Sequence, residues 1–414
     1  MGTGVVIYGP PAAGKDTVTA ELGAEFEHYR RMKRGPGRTA GYRMAERDDL
    51  EQLAAAGDII YSNERYGSTY VIDRPELSRI LAAGRIPVVH VGQPEAIDAV
   101  LAAAPATRWV VVELWCPADV AEARIEARGT GDLAERLAVW NATPRLTLAD
   151  LHIDTSLASP GHSAWQITEA TRVAQATIVV PTMHLVDPDG RLDLAATHRY
   201  ASAAADGWTD LFLVNGSTAA AGGALTADER TAVLDVWLDA VDPGRLLACT
   251  WNGDDLATAA ARGVTPMAVL RADSRLAAEE VLQALPAGAM IYSHPKMFGY
   301  PLNPELAAWA KRAGCLPAGG KLAKIQLSEI EQIHDIAPEF SLWDGSSRRI
   351  APSVRAGASG VVATPLAALL TDLPPRSLAV VQFEIDGVQE TLDRLPGRAE
   401  KRAWLLDQIE SRIS

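Results

Sequence analysis

The chain has 414 residues, 48% of them hydrophobic and 22% charged, which is apolar material for more than one core. A formal net charge of −13 argues against a nucleic-acid scaffold, whose affinity comes largely from Lys and Arg on phosphates, and an anionic substrate needs local basic pockets. Cys116, Cys249 and Cys315 are too few and too scattered for a disulfide framework or a zinc site, and no apolar run reaches membrane-spanning length. A cytoplasmic protein with neither nucleic-acid nor membrane partners is expected.

Val5–Tyr8 is a short apolar run. It leads into Gly9, Pro10, Pro11, Ala12, Ala13, Gly14, Lys15, Asp16 and Thr17, after which Val18, Leu22 and Phe26 follow at helical spacing. Strand, loop and helix form the setting of a phosphate loop: the strand aims the loop, glycines turn backbone N–H groups inward, and the helix start receives the anion. Gly9 to Thr17 are thus expected to bind ATP, with Lys15 reaching the β- and γ-phosphates. Asp16 occupies the place where a Ser or Thr usually follows the lysine, so Asp16 and Thr17 are both candidate ligands for Mg²⁺.

Residues 28–38 are the densest positive segment and are broken by Gly35, Pro36 and Gly37. They read as a basic loop that neutralises a second anion, with Arg31 and Arg34 as leading candidates. A helix over 46–56, a strand over 57–61 leading to Tyr66-Gly67-Ser68-Thr69, a helix over 75–83 and strands over 86–91 and 109–115 follow. Their alternation implies a parallel sheet. A helix over 118–129 places Arg124 and Arg128 on one face. The pair either clamps a triphosphate or faces solvent beside Glu122 and Glu126. A further helix carries Glu135, Arg136 and Trp140.

On these motifs residues 1–172 resemble the guanylate kinase family, and Gly14-Lys15-Asp16-Thr17 is similar to the loop of its ribose 1,5-bisphosphate phosphokinase branch. The resemblance implies phosphoryl transfer from ATP to a small phosphorylated acceptor. It casts Arg31, Arg34, Tyr42, Tyr66 and Ser68 as acceptor-binding, and Arg124, Arg128 and Arg136 with Lys15 as lid and catalytic residues. Two departures, near Tyr61 and before Gln93, remove the carboxylates that would read guanine. The implied acceptor is another nucleotide or a sugar phosphate.

From Thr177 a new rhythm begins, with strand patterns at 177–181, 211–214, 246–248, 267–270, 289–292, before Lys321, and at 340–343 and 360–363. Eight strands alternating with helices imply a (β/α)8 barrel, whose chemistry sits where strands end. Those ends carry Gly216-Ser217-Thr218, Tyr292-Ser293-His294-Pro295 and Gly320-Lys321. A lysine projecting from a barrel strand is partly desolvated, which makes its amine available for Schiff-base formation, and Tyr292 could relay the protons. Alternatively Lys321 belongs to a solvated loop and Lys324 takes the role.

This half, over 177–365, resembles the dihydrodipicolinate synthase and N-acetylneuraminate lyase family, through Pro181-Thr182, Asp189–Asp193, Gly216–Thr218, Tyr292–Pro295 and Gly320-Lys321. The resemblance implies aldolase or lyase chemistry on a 2-keto acid such as pyruvate, without external cofactor, and with Ser217 and Thr218 holding the carboxylate. Ala219-Ala220, Leu322-Ala323-Lys324 and Lys296-Met297-Phe298 depart from its pattern and imply a remodelled second-substrate site. The helical C-terminal extension is expected to be shortened or replaced. His152, His162, His198 and His334 show no ligand spacing, whereas His294 lies beside the predicted mouth.

The expectation is therefore a P-loop kinase domain, a parallel sheet with a lid, over 1–172, fused to a (β/α)8 TIM barrel over 173–414. The bifunctional chain would act on small molecules and form a homo-oligomer. Alternatively, one half is catalytic and the other is a degenerate nucleotide-sensing or scaffolding module.

Overall fold

A computed structural model describes residues 2–65, 67–129, 131–207, 209–217, 221–368 and 378–413. The chain divides into two compact units, the first reaching Gln175 and the second beginning at Ala176.

The first unit is built on β1 (Gly2–Tyr8), whose residues alternate between two cores. Val5 and Ile7 pack on one face with Val88, Val110 and Val112, while Val6 and Tyr8 pack on the other with Val89, Val91 and Trp109. This period of two is what a strand covered on both sides requires. The sheet also holds β2 (Phe26–Tyr29), while β3 (Met32–Arg34), β4 (Arg43–Met44), β5 (Ile59–Arg65) and β6 (Ser68–Asp73) form a separate sheet. The remaining strands of the first sheet are β7 (Ile86–Val91), β8 (Thr107–Trp115) and β9 (Leu151–Asp154).

The order β2-β7-β1-β8-β9 is parallel at each pairing, with β1 in the centre. Its helices are α1 (Lys15–Thr19), α2 (Arg47–Ala56), α3 (Arg74–Ala82), α4 (Pro94–Ala103), α5 (Ala118–Glu126), α6 (Leu133–Ala142) and α7 (Pro160–Ala174). The smaller sheet has the order β4-β3-β6-β5, with β6 antiparallel to both neighbours.

Three local expectations are corrected. The helix after the Gly9–Gly14 loop ends at Thr19, and Phe26 opens β2 beyond a turn in which Phe26 N–H donates to Gly23 O at 3.1 Å. The basic segment 28–38 is partly strand, because β3 pairs with β6 before Gly35 breaks it. The strand expected over 57–61 runs instead from Ile59 to Arg65, and Ser68 and Thr69 begin a second strand, β6.

The second unit is a closed, eight-stranded parallel TIM barrel in sequence order. Its strands are β10 (Thr177–Pro181), β11 (Leu211–Val214), β12 (Leu246–Thr250), β13 (Thr265–Val269), β14 (Met290–Ser293), β15 (Gly319–Leu322), β16 (Ser341–Asp344) and β17 (Gly360–Val362). Val179, Leu213, Leu247, Cys249, Met267, Tyr292, Trp343 and Val362 form one cluster, with a residue from nearly every strand, which is the filled interior. Leu322 and Leu342, one residue on or back, belong instead to a core shared with the outer helices.

Those helices are α8 (Leu194–Ala205), α9 (Ala227–Ala240), α10 (Gly253–Ala261), α11 (Arg275–Gln283), α12 (Pro295–Phe298), α13 (Pro304–Ala313), α14 (Leu327–Ile336) and α15 (Ile350–Arg355). After the barrel come α16 (Leu378–Arg394) and α17 (Arg398–Ile413). Leu405, Leu406 and Ile409 bury one side of α17. Among the described residues, no helix is long and apolar enough to cross a membrane.

Candidate functional site

Each unit has its own candidate site. In the first, a cleft of about 770 Å³ opens beside the loop after β1 and is lined by Gly9, Pro11–Asp16, Arg31, Lys33, Arg38, Tyr42, Arg65, His90, Gln93, Arg128 and Arg136 among others. Gly14 adopts φ +90°, which glycine reaches without steric cost, and its turn starts α1. Lys15 folds over its own loop, donating to Gly9 O at 2.6 Å and Pro10 O at 2.9 Å. Burial, with Arg31 nearby, pushes the Lys15 amine down to about 7. Pro10 supplies that carbonyl, whereas Thr17 is exposed and does not line the cleft.

The predicted arginines separate. Arg31 faces the cleft, 5.2 Å from the Tyr70 ring centroid and 5.9 Å from that of Tyr42. Arg34 is exposed and lines a neighbouring recess with Ser68, whose hydroxyl donates to Pro36 O at 3.0 Å. The cause is strand pleating, since Arg31 and Lys33 are two apart and Arg34 projects from the opposite side. Lys33 takes the place expected of Arg34: it is 2% exposed, donates to Arg38 O at 2.9 Å and lies 5.6 Å from the Tyr42 ring centroid.

Arg128 and Arg136 line the cleft, and Arg136 Nε lies 2.7 Å from Asp132 Oδ1. Arg124 braces the loop after β1 instead. Its guanidinium donates to Ala12 O at 3.1 Å, Thr155 Oγ1 at 2.9 Å and Thr155 O at 2.8 Å. Tyr66 lies outside the described residues.

Lys33, Arg38, Arg65 and His90 also line the cleft, outside the candidate residues that the sequence motifs single out. Arg65 and Asn63 alternate along β5 onto the cleft, and the Gln93 carbonyl oxygen, oriented to satisfy its neighbours, accepts from Arg65 Nε at 3.1 Å. Period two from Asn63 to Arg65 and from Arg31 to Lys33 was the available signal. Asp16 bonds Arg38 at 3.1 Å, and contact with the His90 ring, followed by Arg38, holds its carboxyl well below the usual range. Burial pushes His90 down to about 4.

In the barrel, Lys321 sits on β15 between Tyr292 of β14 and Trp343 of β16, its partners in register. It is 4% exposed, and its Nζ lies 4.3 Å from the Tyr292 ring centroid. Lys324 is exposed at φ +62° in the turn beyond the strand, so it is Lys321 that the pleat turns inward. The Tyr292 hydroxyl lies 2.7 Å from Ser217 Oγ, which connects the strand-five and strand-two ends. Thr218 lies outside the described residues, as do Ala219 and Ala220.

The Ser217 loop is held from beneath. Asn215, at φ +61°, donates through Nδ2 to Arg230 O at 2.9 Å, and its own carbonyl accepts from Trp251 Nε1 at 3.0 Å. Gly222 packs so closely there that a Cβ would lie 2.0 Å from Asn215 O. Phe298 stacks edge-on to Tyr292 with centroids 5.1 Å apart. His294 is buried, its Nδ1 accepting from Lys296 N at 3.2 Å, and burial followed by the Lys321 charge keeps it below the usual imidazole range. Cys249 also lies in the interior, where burial pushes its thiol up to about 12.

No family model matches the sequence, and no curated protein matches it. Among solved structures, a protein assigned to the dihydrodipicolinate synthase family from Coccidioides immitis is 20% identical over 58% of this chain and 85% of that chain, with a TM-score of 0.47. A variant of 2-keto-3-deoxygluconate aldolase from Sulfolobus solfataricus is 17% identical over 57% and 86%, at 0.46. Dihydrodipicolinate synthase from Agrobacterium tumefaciens is 16% identical over 57% and 98%, at 0.44. At these identities and scores the similarity does not assign the chain to a family.

Proposed function

We propose that the chain is a bifunctional enzyme whose barrel performs Schiff-base aldolase or lyase chemistry on a 2-keto acid and whose first unit transfers phosphate from ATP to a small phosphorylated acceptor. The observation that carries the barrel reading is the buried amine of Lys321 over the Tyr292 ring, with the Tyr292 hydroxyl bonded to Ser217.

The Lys321 nitrogen attacks the C2 carbonyl carbon of the keto acid, and the carbinolamine loses water to leave an imine. Tyr292 donates the proton that departs with the hydroxyl and recovers it through Ser217. The imine then accepts the electron pair released when the bond between C3 and C4 breaks, or supplies the enamine that forms it. Ser217 and the backbone of its loop hold the carboxylate. Water returns the amine at the end of the cycle.

The kinase reading is supported by the central position of β1, the lysine after its glycine loop, and the cationic cleft formed by Lys15, Arg31, Lys33, Arg38 and Arg136 in an acidic protein. Phosphoryl transfer needs positioning and charge neutralisation more than covalent help. Lys15 would hold the transferred phosphate, Arg128 and Arg136 the charge that develops, and Arg31 with Lys33 the acceptor's anion. Asp16 offers a carboxylate for Mg²⁺, which when bound neutralises phosphate oxygens. A nucleotide or sugar phosphate is the proposed acceptor.

Two assays separate the halves. ATP consumption across nucleoside monophosphates and sugar phosphates should reveal one acceptor, and Lys15→Ala should abolish it; silence from every acceptor would refute the kinase. For the barrel, deuterium entry into the methyl group of pyruvate in D₂O should depend on Lys321. Equal exchange in Lys321→Ala would refute the lyase.

A further inference from the structure

A small recess beside the cleft of the first unit, lined by Asp16, His28, Arg31, Arg38 and His90 among others, contains a cluster that phosphate binding does not require. One ligand atom from each of Asp16, His28 and His90 lies within 4.8 Å of the other two. The histidines come from β2 and β7, neighbours in the sheet, and their rings lie 4.4 Å apart. Asp16 is supplied by the first turn of α1.

His90 Nδ1 lies 3.4 Å from Asp16 Oδ1. That is long for a charge-assisted hydrogen bond, which runs about 2.7–2.9 Å. It matches the separation of about 3.3 Å between two donors bound to one tetrahedral cation at about 2.0–2.1 Å. The other ring nitrogen, Nε2, is 2.7 Å from the Thr19 hydroxyl. A cation on Nδ1 would replace the ring proton that faces Asp16, and Nε2–H would then donate to Thr19, which is how an outer partner sets a metal-binding imidazole. Asp16 Oδ2 meets Arg38 at 3.1 Å, leaving Oδ1 for a cation.

We propose that Asp16, His28 and His90 form a divalent transition-metal site beside the phosphate loop. Two imidazoles and one carboxylate suit Zn²⁺, Co²⁺ or Mn²⁺, whereas Mg²⁺ prefers oxygen ligands and retained water. Lys15, Arg31 and Arg38 oppose a bare cation, and a triphosphate in the cleft offsets them, so nucleotide tightens metal binding. A role in phosphoryl transfer rests on the kinase reading. The binding of the metal does not.

The test is titration of the full chain with Co²⁺ in metal-free buffer, followed by visible absorption and calorimetry. One equivalent is expected, with a visible band that equimolar Mg²⁺ does not displace. His28→Gln and His90→Gln should each weaken binding by about tenfold or more, while His152→Gln, remote from the cluster, changes nothing. Circular dichroism confirms that each variant is folded, and His28→Gln serves if His90→Gln is not. Lys15→Ala should retain or strengthen Co²⁺ binding, so a chain that binds Co²⁺ without turning over ATP keeps the site and loses only the kinase. Absence of the band, displacement by equimolar Mg²⁺, or wild-type binding in the folded histidine variants overturns the proposal.

Discussion

Replacing Tyr292 by Phe separates proton relay from packing at the barrel site. The ring stays in place, so its edge-on contact with Phe298 and its position 4.3 Å from Lys321 Nζ are retained. Only the hydroxyl and its 2.7 Å bond to Ser217 are lost. Removing one buried hydrogen bond costs about 1 kcal/mol, so the variant should fold with a slightly lowered Tm. A positioned proton donor contributes about 10²–10⁴-fold to rate. Pyruvate methyl-proton exchange, followed by NMR in D₂O, should therefore slow by about 10²-fold or more. Exchange within twofold of wild type, in a folded protein, would refute Tyr292 as the proton relay.

Because burial lowers Lys15 to about 7, the free protein holds the ammonium below that pH and loses it above. Triphosphate needs the charged form, so its affinity should fall as pH rises through about 7, by up to about tenfold per pH unit. Calorimetry in buffers of different ionisation enthalpy should show proton uptake on binding at pH about 8, and pH-independent affinity without uptake would contradict the assignment. Arg230 and Asp255 are an ion pair at 2.9 Å with both side chains 8% exposed. Arg230→Met should destabilise the barrel by about 3–5 kcal/mol by stranding Asp255. Denaturant unfolding checks this, and an unchanged midpoint would show that the carboxylate finds water.

Seven of the barrel strands were legible as short, mainly apolar runs between turn-forming residues, whereas β15, Gly-Gly-Lys-Leu, has no such run and was placed only by the stretch before Lys321; the strand ends pointed to Lys321, Tyr292 and Ser217 together. The small sheet of the first unit was less legible. Arg34 and Lys33 are adjacent cations, and only the pairing of β3 with β6 decides which one faces the cleft. Phe26 fits a helix period from Val18, but the chain turns at Gly23 and delivers it to a strand. Asp16, His28 and His90 are scattered in sequence, and it is the strand order that brings them together. The Arg124 bonds to Thr155 likewise connect segments whose proximity no local spacing encodes.

The most direct test of the account is borohydride reduction in the presence of pyruvate and other 2-keto acids, followed by peptide mass analysis. The account predicts one irreversible adduct, on Lys321, lost in Lys321→Ala and unaffected by Lys324→Ala. No adduct with any 2-keto acid, or one on Lys324 alone, would contradict it.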